Sequence, residues 1–250
     1  MSEEKITMDD FVVLGEAVPD EMKDGRKTIC TAGYSQKYGL VRIYPVPPNA
    51  HLKRWQLIEV PLERNPKDTR NESWKIQGSK DEYYKLSGKI TIHDQLTRPK
   101  WVSLVNELNA KYGVDCVSDL NDEKLSLGLI QPKSFTPRFE ERKTYDSQIQ
   151  MDLLNPDPFL TVHNYKLQPR ITYRCSNCKT KEPHDQQILE WGVYEWLRKN
   201  KDAGIDKINE VWKNMHIGES GYHNSFLVGN MAIHRTSFMI ISMLRYKLGI

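Results

Sequence analysis

The sequence lacks any apolar run long enough to cross a bilayer. Of its 250 residues, 38% are hydrophobic and 28% are charged, and the chain begins with the acidic segment Met-Ser-Glu-Glu-Lys. A membrane helix needs roughly 18 consecutive apolar residues, and a secretory signal begins with basic residues. We therefore expect a cytoplasmic protein that has neither a signal peptide nor a membrane partner.

Cysteine is also scarce, with four in the chain: Cys30, Cys116, Cys175 and Cys178. Small secreted domains depend on dense cysteine pairs, whereas a chain of this length buries enough apolar surface to fold without them. Reduced thiols are therefore expected. Cys30 and Cys116 have no histidine beside them in the sequence, which indicates simple burial for both.

The signatures of several common enzyme classes are missing. The sequence has no phosphate-binding loop, no G-x-G-x-x-G and no G-x-S-x-G, which argues against nucleotide hydrolysis and serine-hydrolase chemistry. The formal net charge of +3 does not by itself show a polyanionic partner, because that inference needs clustered basic residues. With no complete catalytic signature present, a non-enzymatic binding role is favoured.

Short strand-like runs dominate the first part of the chain. They occupy residues 11–14, 27–31, 39–44 and 55–60, and the turn-forming segments Asp24-Gly25 and Pro47-Pro48-Asn49 separate them. Several short strands with no long helix between them predict a small barrel or a strongly curved sheet. Of these two, we favour the barrel.

The remainder of the chain mixes helices and strands. Apolar spacing predicts helices over residues 99–111, 184–199 and 207–215, and apolar runs predict strands at residues 125–130, 134–139, 170–174, 225–230 and 237–246. The last two strands should form a hairpin across residues 232–235. The Asn-Pro-Asp-Pro segment at 155–158 predicts a loop. The fold class is therefore α+β.

A metal site is predicted where Cys175-Ser-Asn-Cys178 is followed by His184. A C-x-x-C turn can direct two thiolates at one soft cation, a nearby imidazole adds a third ligand, and zinc is the natural cofactor. For a fourth ligand His223 and His234 are the best donors, with Asp185 or a water as alternatives. Unmetallated thiols and a redox pair remain alternative interpretations of the motif.

The polar segment over residues 61–74 is the second candidate site. Arg64, Lys67 and Arg70 are spaced so that they can meet phosphates, and Trp74 can stack on a base. Arg42 and Tyr44 on a neighbouring strand extend this surface. An equally good interpretation is a salt-bridged corner in which Glu63, Asp68 and Glu72 pair with the arginines. A weaker one makes Asp68 and Glu72 a catalytic carboxylate pair.

The sequence also resembles a family of uncharacterised prokaryotic proteins described as having a dual OB-containing domain. The resemblance lies in residues 15–19, 28–33, 41–45 and 61–70, in residues 175–190 with Trp191, and in Gly229-Asn230 with His234 and Phe238. It implies two OB-like barrels, a fold often used to bind single-stranded nucleic acid, and a phage-defence or mobile-element setting.

These observations predict an α+β protein with two β-barrel-like, OB-like halves, the second elaborated with helices and the Cys/His metal knuckle. We expect residues 1–96 to form the first domain, 97–123 a connection, and 124–250 the second domain. The predicted function is accessory binding of single-stranded DNA or RNA, and protein partners are a further expectation. Two alternatives are a metal-dependent nuclease-like hydrolase, with Asp185 or Glu190 as general base, and a protein-interaction module.

Overall fold

Strands make up most of the fold in this computed structural model, which describes residues 4–144 and 160–249. The predicted loop at residues 155–158 lies outside the described residues. The first-half strands are β1 (Lys5–Glu16), β2 (Asp20–Glu21), β3 (Lys27–Ser35), β4 (Gly39–Val46), β5 (Gln56–Glu63), β6 (Ser73–Ile76) and β7 (Thr91–Gln95).

Five of these strands close into a barrel, as predicted. The order β1-β3-β4-β6-β5 returns to β1, because β1 pairs with both β3 and β5. All the pairs are antiparallel except β4 with β6, which is parallel. The short β2 pairs with β3, and β7 pairs with the N-terminal half of β5.

Alternating apolar residues explain why these strands close around one core. Successive side chains of a strand point to opposite faces, so one set from every strand meets inside the barrel. The interior includes one large side chain from each strand: Phe11, Ile29, Ile43, Ile58 and Trp74. The opposite face of β1 is also apolar, and there Val12 and Leu14 pack against the second half.

The first helix, α1 (Arg98–Tyr112), confirms the prediction for residues 99–111. Pro99 lies in its first turn, where a missing N–H costs nothing, and Gly113 follows its last residue. Val105 and Leu108 are fully buried and share a cluster with Val12 and Leu14 of β1. The helix therefore seals the junction between the barrel and the second half.

The described part of the second half contains two sheets, three α-helices and a short 3₁₀ helix at Val162–Asn164. Its elements are β8 (Gly113–Val114), α2 (Val117–Asp122), β9 (Leu127–Ile130), β10 (Pro132–Glu141), β11 (Leu167–Cys175), β12 (His184–Gln187), α3 (Trp191–Lys199), α4 (Ile205–Asn214), β13 (Tyr222–Asn230) and β14 (Phe238–Lys247). One sheet has the order β14-β13-β9-β8 and the other β10-β11-β12. A bridge between Ile188 and Ile240 joins them.

Most of the predicted elements are present here, but one boundary was wrong. The predicted helix over residues 184–199 is a strand at its start, and α3 begins only at Trp191. The strand forms because His184 and Asp185 pair with Tyr173 and Thr172 of β11, and Asp185 also accepts hydrogen bonds from Arg138 and Arg170. These long-range partners outweigh the local helical pattern.

A buried ion cluster joins the two halves. The carboxylate of Glu190 is 5% exposed and lies 2.8 Å from Arg54 and 3.3 Å from Arg245. It also accepts a hydrogen bond of 2.6 Å from the backbone N–H of Met243. Close by, a Cβ on Gly15 would lie 2.4 Å from Ser242, so glycine lets β1 approach β14. The barrel and the second half therefore form one packed unit.

Within residues 4–144 and 160–249, no helix is long and apolar enough to cross a membrane.

Candidate functional site

The metal-binding candidates come together in a group of four: Cys116, Cys175, Cys178 and His184. Their ligand atoms all lie within 4.8 Å of one another. His184 Nε2 is 3.4 Å from the sulfur of Cys116 and 3.3 Å from that of Cys178. Three soft sulfur ligands and one imidazole around a common centre can hold a metal ion.

Separate elements bring these ligands together. Cys175 ends β11, Cys178 follows in the adjoining turn, and His184 begins β12 opposite Tyr173. Cys116 arrives from the N-terminal end of α2, where its sulfur accepts hydrogen bonds from Ser118 Oγ and the Lys179 N–H. The site thus fastens α2 to the knuckle between β11 and β12.

Electrostatics at the cluster favour ligand forms for two members. Burial and the charge of Arg174 lower the pKa of His184, which keeps the imidazole neutral. Although burial raises the pKa of Cys178, hydrogen bonds from Thr180 and the backbone outweigh it and bring that pKa to about 7. Burial raises the pKa of Cys175 to about 12, so a thiolate there needs a neighbouring cation.

Cys116, and not His223, is the fourth member of the group. His223 lies on β13, with Nε2 3.2 Å from Asn109 Nδ2 and its ring stacked on Tyr246, so its assignment as a ligand is corrected. His234 also lies outside the group. Cys116 was interpreted as simply buried because it is far along the chain from the knuckle.

A basic cavity of about 460 Å³ lies between the barrel and the second half. On the barrel side it is lined by Thr28 and Cys30 of β3, Arg42 and Tyr44 of β4, and Arg70. The second half contributes Arg142, His163 and residues 229–233. Three of the predicted nucleic-acid contacts, Arg42, Tyr44 and Arg70, therefore share one cavity.

Arg42 is the most unusual residue of this cavity. It is 2% exposed, and its guanidinium lies 3.0 Å from the carbonyl oxygen of Ser126 and 3.5 Å from the hydroxyl. Burial lowers its pKa, because the cation is held away from water. No salt bridge to Arg42 occurs in the described part of the chain. A buried cation of this kind favours an anionic ligand.

Some residues of the polar segment over 61–74 fit the salt-bridged corner, and others do not fit either that corner or a nucleic-acid-binding surface. Arg70 is 7% exposed and its guanidinium binds Asp68 and the carbonyl of Asn230, as the salt-bridged corner requires. Trp74 is 2% exposed inside the barrel, which corrects its assignment as a stacking surface. Arg64 lies over that ring and pairs with Glu4.

The remaining members of the segment have different surroundings. Lys67 is exposed on the loop. Tyr44 is half-buried, and burial raises the pKa of its hydroxyl to about 12. Glu72 accepts hydrogen bonds from the N–H and hydroxyl of Ser126. Since Asp68 binds Arg70, Asp68 and Glu72 have separate partners, which argues against the catalytic carboxylate pair.

Two family matches cover most of the sequence. Residues 7–103 match a family described as Domain of unknown function (DUF8758). Residues 115–247, more than half of the chain, match Domain of unknown function (DUF8757). The chain belongs to the DUF8757 family. No curated protein matches it. The four metal-ligand candidates all lie in the DUF8757 part, whereas the basic cavity is lined by both parts.

A second cavity, of about 750 Å³, contains a carboxyl group with a displaced pKa. Glu16 of the DUF8758 part lines it beside Glu190 and Arg54, and accepts a hydrogen bond from Thr31. Burial raises the pKa of Glu16 from 4.5 to about 8. At neutral pH the folded chain therefore holds a proton at Glu16 that the unfolded chain has lost.

We expect Glu16→Gln to stabilise the protein at pH 8 by roughly 2 kcal/mol, because glutamine mimics the neutral acid. Native Glu16 binds more protons than unfolded Glu16 between about pH 4.5 and 8, so its contribution to stability falls as pH rises through that window. Denaturant unfolding at pH 5 and pH 8 measures this. The exposed Glu21→Gln is the control, and an equal effect of Glu16→Gln at both pH values would contradict the prediction.

Proposed function

We propose that this DUF8757 protein binds nucleic acid through the basic cavity and is stabilised by a structural zinc ion. The observation that carries the proposal is the fully buried Arg42 in a cavity that also contains Arg70, Arg142 and Tyr44. Phosphate groups are the anions that clustered arginines bind best, through forked hydrogen bonds.

The strand order of the barrel supports an OB-type fold. Numbering only the barrel strands, the order is first, second, third, fifth, fourth and back to first, with the third and fifth parallel. OB barrels bind oligonucleotides on the face of their second and third strands, between the loop that follows the first strand and the loop between the fourth and fifth. Here those loops are residues 17–26 and 64–72.

The basic cavity lies in this position. Its walls include β3 and β4, the second and third barrel strands, together with Ala17 and Val18 from one loop and Arg70 from the other. Lys67, on the same loop as Arg70, is exposed beside it. The predicted contacts Arg42, Tyr44, Lys67 and Arg70 therefore fit a ligand bound at this face, whereas Trp74 and Arg64 support the barrel.

Zinc is the metal that fits the ligand set best. With Zn–S near 2.3 Å and Zn–N near 2.0 Å, tetrahedral sulfur and nitrogen ligands lie about 3.5 Å apart. The 3.3 and 3.4 Å separations from His184 Nε2 are close to that value. Three cysteines and one histidine fill all four positions, which is the pattern of structural rather than catalytic sites.

The hydrolase alternative has less support from the geometry. Asp185 is bound by Arg138 and Arg170, and Glu190 is bound by Arg54 and Arg245. Arg138 and Arg170 lower the pKa of Asp185, and although burial raises the pKa of Glu190, its two arginines and other contacts outweigh that effect. Lowered pKa values weaken both carboxylates as general bases. We favour binding without turnover, in the cytoplasm and in the defence setting that the resemblance implies.

Binding of single-stranded DNA or RNA should weaken as salt rises. We expect Lys67→Glu to reduce affinity and to lower the slope of log K against log salt by roughly 0.7, the contribution of one phosphate contact. The exposed Lys201→Glu has the same charge change on the loop between α3 and α4 and should leave the slope unchanged. Fluorescence anisotropy at two or more salt concentrations measures both. Equal effects of the two variants would refute this binding face.

A further inference from the structure

The face that an OB barrel uses for a strand is covered in this molecule. Residues of the second half, including Val162, Leu189 and Gly229, stand against β3 and β4 and complete the walls of the basic cavity. Gly229 is so close to Arg42 that a Cβ there would lie 2.6 Å from its Nη2. A nucleic-acid strand therefore cannot lie along β3 and β4, and the cavity is the part of this face that is left for a ligand.

The cavity has the size and chemistry for one nucleotide. Pockets for small ligands range over roughly 300–1,000 Å³, and this one measures about 460 Å³. Apolar walls from Val18, Leu189 and Ile241 suit the faces of a base, while arginines supply positive charge for a phosphate.

Two polar side chains in the wall have unused hydrogen-bonding groups. The Arg142 side chain contacts the buried hydroxyl of Tyr194. Its Nε and Nη2 are buried without a hydrogen-bond acceptor among the described residues, and the Oδ1 of Asn230 is buried there without a donor. Nε and Nη2 form one edge of a guanidinium, which binds two adjacent acceptors at once. Such acceptor pairs occur on a phosphate and on the O6/N7 edge of guanine. The sequence predicted a binding role for neither residue.

An apolar tip stands at the mouth of the cavity. In the loop between β13 and β14, Ile233 is 81% exposed and Met231 is 39% exposed, and both line the cavity. The loop is held in place, since Asn230 Nδ2 donates to the carbonyl of Arg235 and Arg235 donates to Thr69. Exposed apolar side chains on a fixed loop can enter a base stack as wedges.

Building on the proposed function, we propose that one nucleotide of the bound strand is turned out of its stack into the basic cavity. Met231 and Ile233 occupy the space that it leaves between its neighbours. The forked edge of Arg142 binds a paired acceptor of the inserted nucleotide, either two phosphate oxygens or O6 and N7 of guanine. The cost of unstacking, a few kcal/mol, is offset by the burial of the base and by these hydrogen bonds.

The test uses a single-stranded oligonucleotide of about 12 residues, within the 4–16 that OB folds occupy, with guanine and the fluorescent base 2-aminopurine in alternation. Stacking quenches 2-aminopurine, and every register places a reporter at or beside the cavity. We expect fluorescence to rise severalfold on binding to the wild type. Met231→Ser/Ile233→Ser should abolish most of the rise, while Leu248→Ser, at 53% exposure elsewhere, should not.

Competition by mononucleotides identifies what Arg142 contacts. We expect deoxynucleoside 5′-monophosphates to displace the oligonucleotide from the wild type, and Arg142→Gln to weaken that displacement. If Arg142 binds phosphate, inorganic phosphate also displaces the oligonucleotide from the wild type, and Arg142→Gln weakens displacement by all four monophosphates equally. If Arg142 binds guanine, Arg142→Gln weakens only the displacement by deoxyguanosine monophosphate.

The possible failures of the test have different meanings. Salt-sensitive binding with no fluorescence rise, or with no competition by any mononucleotide, would overturn nucleotide insertion and leave the proposed function standing. Absence of oligonucleotide binding would refute both. Equal unfolding temperatures for the wedge variant and the wild type would show that any loss of the fluorescence rise is not caused by misfolding.

Discussion

Cys116→Ser is expected to lack the zinc proposed for the wild type and to unfold about 10 °C below it. Without the fourth ligand, the end of α2 is no longer fastened to the knuckle of Cys175 and Cys178. Metal binding to a structural site is linked to folding, and a loss of about 4 kcal/mol lowers the midpoint by roughly 10 °C in a chain of this size. Elemental analysis and thermal unfolding provide the two measurements.

Two control variants make this prediction specific. Cys30→Ser removes a thiol that lies in the barrel outside the cluster, and His223→Ala removes the histidine that the sequence suggested as fourth ligand. Both proteins should retain about one zinc per chain. Loss of zinc from His223→Ala with retention by Cys116→Ser would show that the cluster of Cys116, Cys175, Cys178 and His184 is not the site.

Glu190→Gln is expected to destabilise the protein by about 3–5 kcal/mol. The substitution keeps the shape of the side chain but removes the charge that neutralises Arg54 and Arg245. These two partly buried cations are then left without a countercharge and keep only their hydrogen bonds to the Met243 carbonyl. Because Arg54 belongs to the barrel and Arg245 to β14, the loss weakens the contact between the halves. Denaturant unfolding, followed by tryptophan fluorescence and circular dichroism together, measures the change.

Asp185→Asn is the matched control for this ion cluster. Asp185 also binds two arginines, but its side chain is 42% exposed, and ion pairs of that kind contribute at most about 1 kcal/mol. A similar loss of stability for both variants would contradict the prediction that Glu190 stabilises the contact between the two halves. The same pair tests the hydrolase alternative, because that alternative requires either variant to abolish turnover while the fold persists.

Local patterns in the sequence were sufficient to predict most elements. Four short strand-like runs with no long helix between them, which correspond to β1, β3, β4 and β5, predicted the barrel. The three- and four-residue spacing over 99–111 predicted α1. The same helical spacing also occurs over residues 184–199, where it failed for the first residues. There, hydrogen bonds from β11 and ion pairs with Arg138 and Arg170 fix His184 and Asp185 in a strand.

The candidate sites were predicted only as far as their parts are close in sequence. Cys175, Cys178 and His184 lie within ten residues and were recognised together, but Cys116 reaches them only through α2. Arg42 and Arg70 were recognised as basic residues, yet their burial depends on Ser126 and Asn230 from the second half. Trp74 was predicted to stack on a base because the local sequence does not reveal its burial. Its position inside the barrel depends on the pairing of β6 with β4.

The sequence by itself determined the strand-rich class, the Cys/His knuckle and the basic residues of the polar segment, because periodicity and ligand spacing act over a few residues. The tertiary structure alone decided that Cys116 completes the ligand group and that Arg142 and Asn230 meet Arg42 in one cavity. It also decided that the barrel face is covered. The physical reason is that these features depend on the packing of the two halves, which brings together residues distant in the chain.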